Sequence, residues 1–119
     1  MKIILFIVLY CVLLVVIAFP SRTEATTKVT QLSKMSEFER IGYCESKGNK
    51  QAKNKKSTAS GEYQFTWGSW HYYGLKYWGE DFYDKNIWSE DNRILAEWVY
   101  ETYGSKPWES SKRCWSKTT

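Results

Sequence analysis

The chain has 119 residues, enough for one globular domain, with a formal net charge of +4 and seven tryptophans. The positive charge is modest, and no zinc-ligand spacing, RNA-binding signature or helix-turn-helix pattern accompanies it, so we do not expect nucleic acid as a partner. The sequence also lacks a phosphate-binding glycine loop and a metal-ligand cluster, so we expect no metal site and no cofactor.

An apolar run opens the chain. Lys2 precedes uninterrupted apolar residues from Ile3 to Phe19, and this order is typical of a secretory signal. We predict a signal peptide over residues 1–25. The alternative is an uncleaved N-terminal anchor, because the run is at the short end of the roughly 17–25 residues that span a bilayer. Either way the remainder is exported, secreted or attached to the cell envelope, and membrane contact is expected only if the anchor is retained.

The polar residues 26–35 follow without an apolar period, which predicts a flexible tether to a domain over 36–119. Ser36, followed three residues later by Glu39, has the form of a capping box. This pattern predicts that the first helix of the domain begins here and ends near Gly48.

Glu45 is the candidate catalytic residue of this helix. It follows Phe38 and Ile41 at helical spacing, so the three side chains share one face and Glu45 is partly desolvated. It also lies in the last turn, where the helix dipole disfavours a carboxylate. Both effects raise the pKa of the carboxyl group, as a general acid requires. The simpler interpretation is a solvated charge at a helix end.

A polar loop over 47–60 comes next and is rich in lysine. Such a cluster usually forms a solvated surface, but it could also attract an acidic polymer such as a cell wall. The loop lysines are Lys47, Lys50, Lys53, Lys55 and Lys56.

Residues 61–65 are short and aromatic, which favours an extended segment or short strand. Thr66 is a candidate cap for a short helix that carries Trp67, Trp70 and Tyr73 and ends at Gly74. Residues 75–86 show no clear period and are predicted to be irregular with a helical turn.

The clearest helix is predicted over Ser89–Tyr103, with Ser89 as its N-cap and Gly104 as its stop. Pro107 suits the first turn of a last short helix through Ser111. The predicted fold class is therefore mainly α, with a minimal β segment. The predicted apolar stripe of the long helix consists of Ile94, Leu95, Trp98, Val99 and Thr102.

Cys11 belongs to the N-terminal segment, which leaves Cys44 and Cys114 as an even pair in an oxidising compartment. A disulfide between them would close a loop of about 70 residues and stabilise the fold by about 4 kcal/mol. The alternative is two free buried thiols.

Several motifs between Ile41 and Trp115 resemble the lysozyme-like transglycosylase domains, most closely the resuscitation-promoting-factor type. The central resemblance is a Glu-Ser-x-Gly-Asn motif followed by a Ser-Gly-x-Tyr-Gln-Phe motif. The matching residues are Cys44-Glu45-Ser46, Gly48-Asn49, Ala52, Asn54, Ser57, Ala59-Ser60-Gly61, Tyr63-Gln64-Phe65, Trp70, Tyr73-Gly74, Asp91-Asn92, Ala96, Gly104, Pro107-Trp108 and Cys114-Trp115.

The resemblance implies a lysozyme-like fold that cleaves the glycan strand of peptidoglycan between N-acetylmuramic acid and N-acetylglucosamine. We expect the protein to be a monomer. It implies Glu45 as the single catalytic acid and then base, and Gln64 as a substrate-binding residue of the groove. It matches Tyr63 and Trp70 to substrate-binding or supporting aromatics. The lysine-rich loop and the longer segment 75–86 depart from the family pattern.

Two other classes remain open on the sequence. A non-enzymatic cell-wall glycan-binding module would use the aromatic groove and the lysines without chemistry at Glu45. A disulfide-stabilised exported interaction protein or inhibitor would neither bind nor cleave glycan. Spacing assigns no second catalytic carboxylate among Glu62, Glu80, Asp81 and Asp84.

Overall fold

The computed structural model describes residues 30–116, so the predicted signal peptide or anchor over 1–25 lies outside the described residues. Residues 30–34 are helical and belong to a first compact unit that ends at Lys34, and a second unit begins at Met35. The flexibility of residues 26–35 stays a prediction. No helix within 30–116 has the length and apolar character needed to cross a membrane.

The second unit is mainly α-helical, as the sequence predicted, with a minimal β segment made of two isolated antiparallel bridges, Lys53 to Ser60 and Ser60 to Phe65. Residues 61–64 form a turn, so the predicted extended segment is limited to Phe65. In chain order, the described elements are α1 (Glu37–Ser46), α2 (Trp67–Trp78), a first 3₁₀ helix (Gly79–Asp84), α3 (Glu90–Tyr103), a second 3₁₀ helix (Lys106–Ser111) and α4 (Lys112–Trp115).

The capping box that begins α1 is confirmed. The Ser36 hydroxyl accepts a hydrogen bond from the backbone N–H of Glu39 at 3.2 Å, and the Glu39 carboxylate accepts one from the backbone N–H of Ser36 at 3.0 Å. The helix ends at Ser46, two residues before the predicted glycine, because Lys47 adopts the left-handed conformation and caps the helix by donating its N–H to the carbonyl of Tyr43. Glu45 therefore lies in the last turn of α1.

The predicted end of α2 at Gly74 is wrong, because the helix continues to Trp78 and stops at Gly79. A side chain at position 74 would place its Cβ 2.3 Å from the ring of Phe82. Gly74 therefore allows the first 3₁₀ helix to pack closely on α2 and does not end it. The prediction that residues 75–86 are irregular is wrong for most of the segment, which contains the last turn of α2 and the first 3₁₀ helix.

Helix α3 is confirmed, with Ser89 as its N-cap and Gly104 as its C-cap. Its buried side is rotated from the predicted stripe, since Ile94 and Thr102 are exposed. The pattern of apolar residues missed this rotation because one residue of the buried face is the polar Asn92. The buried residues of α3 are Asn92, Leu95, Ala96 and Val99.

The predicted disulfide is present. Cys44 of α1 and Cys114 of α4 are bonded, with their Cα atoms 5.9 Å apart. The bond joins the first helix of the domain to the last, and the buried guanidinium of Arg40 reinforces this contact by donating to the carbonyl of Trp115 at 2.8 Å. Both ends of the domain are thereby held together beside Glu45.

Candidate active site

A cleft of about 360 Å³ opens where the end of α1, the turn before α2, the first turns of α2 and the second 3₁₀ helix meet. Glu45 is the only carboxylate among the described residues that line it. The lining residues are Glu45, Asn54, Ser57, Ala59, Gln64, Phe65, Thr66, Ser69, Tyr73, Pro107, Trp108 and Ser110.

The carboxyl group of Glu45 is partly buried and receives a hydrogen bond of 2.5 Å from the hydroxyl of Ser111. Burial raises the pKa of Glu45 above its ordinary value, and the hydrogen bond from Ser111 opposes part of that rise. None of the ion pairs found among residues 30–116 includes Glu45. The desolvation predicted from the helix face is therefore observed, while the contribution of the helix dipole stays a prediction.

Ser111 has a second acceptor within reach, the backbone carbonyl of Trp108 at 3.1 Å. A hydroxyl group has one proton, so Ser111 can donate to only one of these two oxygens at a time. When Glu45 is ionised, Ser111 donates to the carboxylate. When Glu45 is protonated, the Ser111 oxygen can accept a hydrogen bond from the carboxyl O–H, and the Ser111 hydroxyl can donate to the carbonyl of Trp108 instead. The pair therefore accommodates both protonation states without moving the backbone.

The disulfide keeps Glu45 and Ser111 close to each other. Cys44 directly precedes Glu45 in α1, and Cys114 follows Ser111 by three residues, so the disulfide joins the segments that carry the two hydrogen-bonding groups. Trp108, in the same 3₁₀ helix as Ser111, donates its indole N–H to the carbonyl of Tyr63 at 3.0 Å. These contacts fix the second 3₁₀ helix against both α1 and the turn over residues 61–64.

Gln64 lines the cleft, as expected for a groove residue. Its backbone is left-handed, with φ of 53°, an unusual conformation for a residue other than glycine. Its side-chain amide nitrogen donates to the carbonyls of Gly61 at 2.9 Å and Ala52 at 3.3 Å. These bonds set the orientation of the Gln64 amide in the cleft before any ligand arrives.

Asn92 of α3 holds the turn over residues 61–64 in place through side-chain hydrogen bonds. Its side-chain oxygen accepts from the N–H of Tyr63 at 2.8 Å, and its amide nitrogen donates to the carbonyls of Ser60 at 3.1 Å and Ile87 at 2.9 Å. A Cβ at Gly61, where φ is +81°, would lie 2.1 Å from that amide nitrogen. The resemblance had matched Asn92 without giving it a role. The sequence signal for its structural role is a polar residue at a position that helical spacing places on an otherwise apolar, buried face.

Tyr63 and Trp70 do not line the cleft, which corrects their assignment as substrate-binding residues. Tyr63 is completely buried and donates its hydroxyl to the carbonyl of Phe38 at 3.1 Å. Trp70 is buried too, and its ring packs on Phe65 with centroids 6.0 Å apart. Both therefore support the cleft from the core, and the aromatic side chains that line it are Phe65, Tyr73 and Trp108.

The other carboxylates lie elsewhere. Glu62 is buried and pairs with Arg93 at 3.0 Å, while the acidic residues of the first 3₁₀ helix are exposed. Within residues 30–116 we find no group of three or more His, Cys, Asp or Glu side chains placed to hold a metal ion. The cleft of the described domain thus contains one carboxyl group, with hydroxyl, amide and aromatic groups around it.

The fold and the site define a small, disulfide-linked, mainly α-helical domain with a single partly buried carboxyl group in a cleft. No family model, curated protein or solved structure matches the chain. A functional conclusion therefore depends on the chemistry of the cleft itself, taken with the motifs seen in the sequence.

Proposed function

We propose that this chain is a peptidoglycan-cleaving glycosidase that cuts the glycan strand with Glu45 as its single acid and base. The observation that carries the proposal is the environment of Glu45. It is a partly buried carboxyl group in a cleft, its pKa is raised by desolvation, and it is hydrogen-bonded to a neutral hydroxyl group. A general acid in glycoside cleavage must hold its proton near neutral pH, and this environment favours that form.

In the first step, protonated Glu45 donates its proton to the glycosidic oxygen as the bond to the anomeric carbon breaks. The leaving sugar departs with that proton, and positive charge develops on the ring left behind. The ionised Glu45 then accepts a hydrogen bond from Ser111 and removes a proton from the attacking group. Attack by the C6 hydroxyl of the same sugar gives a 1,6-anhydro product, as in a lytic transglycosylase, whereas attack by water gives hydrolysis, as in a muramidase.

The surroundings of the cleft support a polar, anionic polymer as substrate. Asn54 and Ser57 line the cleft, and the lysines beside them in sequence, Lys53, Lys55 and Lys56, are all exposed. Peptidoglycan carries carboxylates on its peptide stems and lactyl groups, so a basic rim would attract it. The same rim would also suit a non-enzymatic wall-binding module, and only the environment of Glu45 favours an enzyme.

Incubation of the full chain with insoluble peptidoglycan, followed by mass measurement of the soluble products, tests the proposal. The wild type is expected to release muropeptides, and their masses distinguish the two routes because the anhydro product is lighter by one water. Glu45→Gln is expected to lower the rate by about 10²–10⁴-fold, the typical contribution of a general acid or base.

Glu109→Gln is the matched control. Glu109 is exposed on the second 3₁₀ helix near the cleft, where it pairs with Lys112, and its loss should leave the rate unchanged. If Glu45→Gln solubilised peptidoglycan as fast as Glu109→Gln, Glu45 would not be the catalytic group. Binding to the insoluble wall without any release of products would instead favour the wall-binding module.

A further inference from the structure

The wall of the cleft formed by α2 continues beyond the cleft along the same helix face. Ser69 and Tyr73, four residues apart, both line the cleft. Lys76 and Tyr77 follow Tyr73 by three and four residues, so they lie on the same face, one turn farther along the helix. Both are exposed. A ligand that leaves the cleft along α2 therefore meets these side chains next.

The continuation carries a group of aromatic rings shared between α2 and α3. The ring of Tyr73 lies 5.1 Å from that of Tyr72 and 5.4 Å from that of Tyr103, and the ring of Trp98 lies 6.1 Å from Tyr103 and 5.2 Å from Tyr77. We call Tyr72, Tyr73, Tyr77, Trp98 and Tyr103 the aromatic face.

Much of the aromatic face is in contact with solvent. Tyr72 is 55%, Tyr77 41% and Tyr103 42% exposed. Single exposed aromatic residues are common on protein surfaces, but contiguous exposed apolar groups usually mark a site of interaction. Tyr73 and Trp98 pack against the core of the domain, whereas Tyr72, Tyr77 and Tyr103 are not part of it.

We propose that the aromatic face binds the part of the polysaccharide strand that extends out of the cleft, with pyranose rings stacked on the tyrosine rings. This inference rests on the proposed function, because it takes the glycan strand as the ligand. A cleft of about 360 Å³ is at the small end of ligand sites, which run from about 300 to 1,000 Å³. A polymer must continue outside it, and Tyr73 is shared between the cleft and the aromatic face.

The chemistry of the face favours a sugar over a lipid surface. Four of its five rings carry a hydroxyl group, so the face offers apolar surface and hydrogen-bonding groups together, as a pyranose does. Lys76 adds a cation, which donates to the hydroxyl of Tyr72 at 2.8 Å. A membrane-binding helix instead presents Leu, Phe and Trp on its apolar side, and α2 presents mainly tyrosines here.

The test measures binding to insoluble peptidoglycan by co-sedimentation, with the full chain carrying Glu45→Gln so that the wall stays intact. Adding Tyr77→Ala and Tyr103→Ala is expected to weaken binding roughly tenfold, equivalent to about 1.4 kcal/mol. Tyr77→Phe with Tyr103→Phe keeps the rings and should bind nearly as well as the Glu45→Gln chain. Tyr83→Ala is the matched control, since Tyr83 is 71% exposed on the first 3₁₀ helix and is not part of the face.

Two further measurements separate this inference from the proposed function. With Glu45 present, the double alanine variant should cleave short soluble glycan fragments at the wild-type rate, because these fit within the cleft. Failure of the proposed function would appear as no cleavage by the wild type, whatever the binding result. Equal wall binding by the double alanine and Tyr83→Ala variants would overturn the inference, and so would the absence of wall binding by the Glu45→Gln chain. The inference would also be overturned if the alanine substitutions disrupted a dimer, seen as a change in solution mass, and left wall binding unchanged.

Discussion

Two regions of the domain remove a glutamate from solvent, Glu62 fully and Glu45 in part, and they do so with different partners. At the end of α1, Glu45 is hydrogen-bonded to the neutral hydroxyl of Ser111. In the turn before α2, the side chain of Glu62 is 9% exposed and pairs with the guanidinium of Arg93 at 3.0 Å. A guanidinium compensates more of the cost of burying a carboxylate than a hydroxyl does.

The difference supports a structural role for Glu62 and is consistent with the catalytic role proposed for Glu45. The ion pair between Glu62 and Arg93 joins the turn to α3 and gives the carboxylate a positively charged partner. Glu45 has only a hydroxyl group that can reverse its hydrogen bond, and burial raises its pKa. A buried or partly buried carboxyl group is therefore a candidate acid when its partner leaves both protonation states accessible.

The largest effect expected within this comparison is on stability, at Glu62. Glu62→Gln should lower the free energy of unfolding by about 1–2 kcal/mol, because the charge-assisted bond to the partly exposed Arg93 is lost. Urea denaturation measures it. Peptidoglycan cleavage should be unchanged for the folded fraction. A Glu62→Gln chain that kept its stability but lost cleavage would reverse the two roles.

Sequence pattern located the Glu45 region well, because its determinants are local. The capping box at Ser36 and helical spacing placed Glu45 on a buried face at a helix end, and the pairing of Cys44 with Cys114 followed from the count of cysteines. These features depend on neighbours in sequence or on a single possible pairing. The structure adds the neighbouring hydroxyl, which no spacing rule connects to position 45.

The Glu62 region could not be predicted in the same way, since its contacts join residues far apart in sequence. Asn92 holds the turn from 29 residues away at Tyr63, and Arg93 reaches Glu62 from 31 residues away. Gly74 shows the same limit of prediction from local sequence. The sequence alone does not distinguish a glycine that ends a helix from one that allows a neighbouring side chain, here Phe82, to pack closely.

A smaller effect should appear in the pH dependence of stability at Glu45. A carboxyl group whose pKa is raised on folding favours the folded state below its ordinary value of 4.5 and loses that contribution as pH rises through the folded value. Glu45→Gln does not titrate, so its free energy of unfolding relative to wild type should increase between acidic and neutral pH. Urea denaturation across that range measures the difference, with Glu109→Gln as the control. A constant difference would show that Glu45 titrates normally in the folded chain.

The smallest effect is expected at Ser111 and concerns the pH profile of cleavage. The Ser111 hydroxyl lowers the pKa of Glu45 against the larger effect of burial, so Ser111→Ala should raise that pKa further. Cleavage by a general acid declines as the acid ionises, and the alkaline limb of the profile should therefore move to higher pH. Ser111→Thr retains a hydroxyl group and should restore the wild-type limb. If Ser111 had a purely structural role, Ser111→Ala would lower the rate of cleavage at every pH without moving the alkaline limb. A shift of that limb toward lower pH would contradict the direction of the hydrogen bond from Ser111 to Glu45.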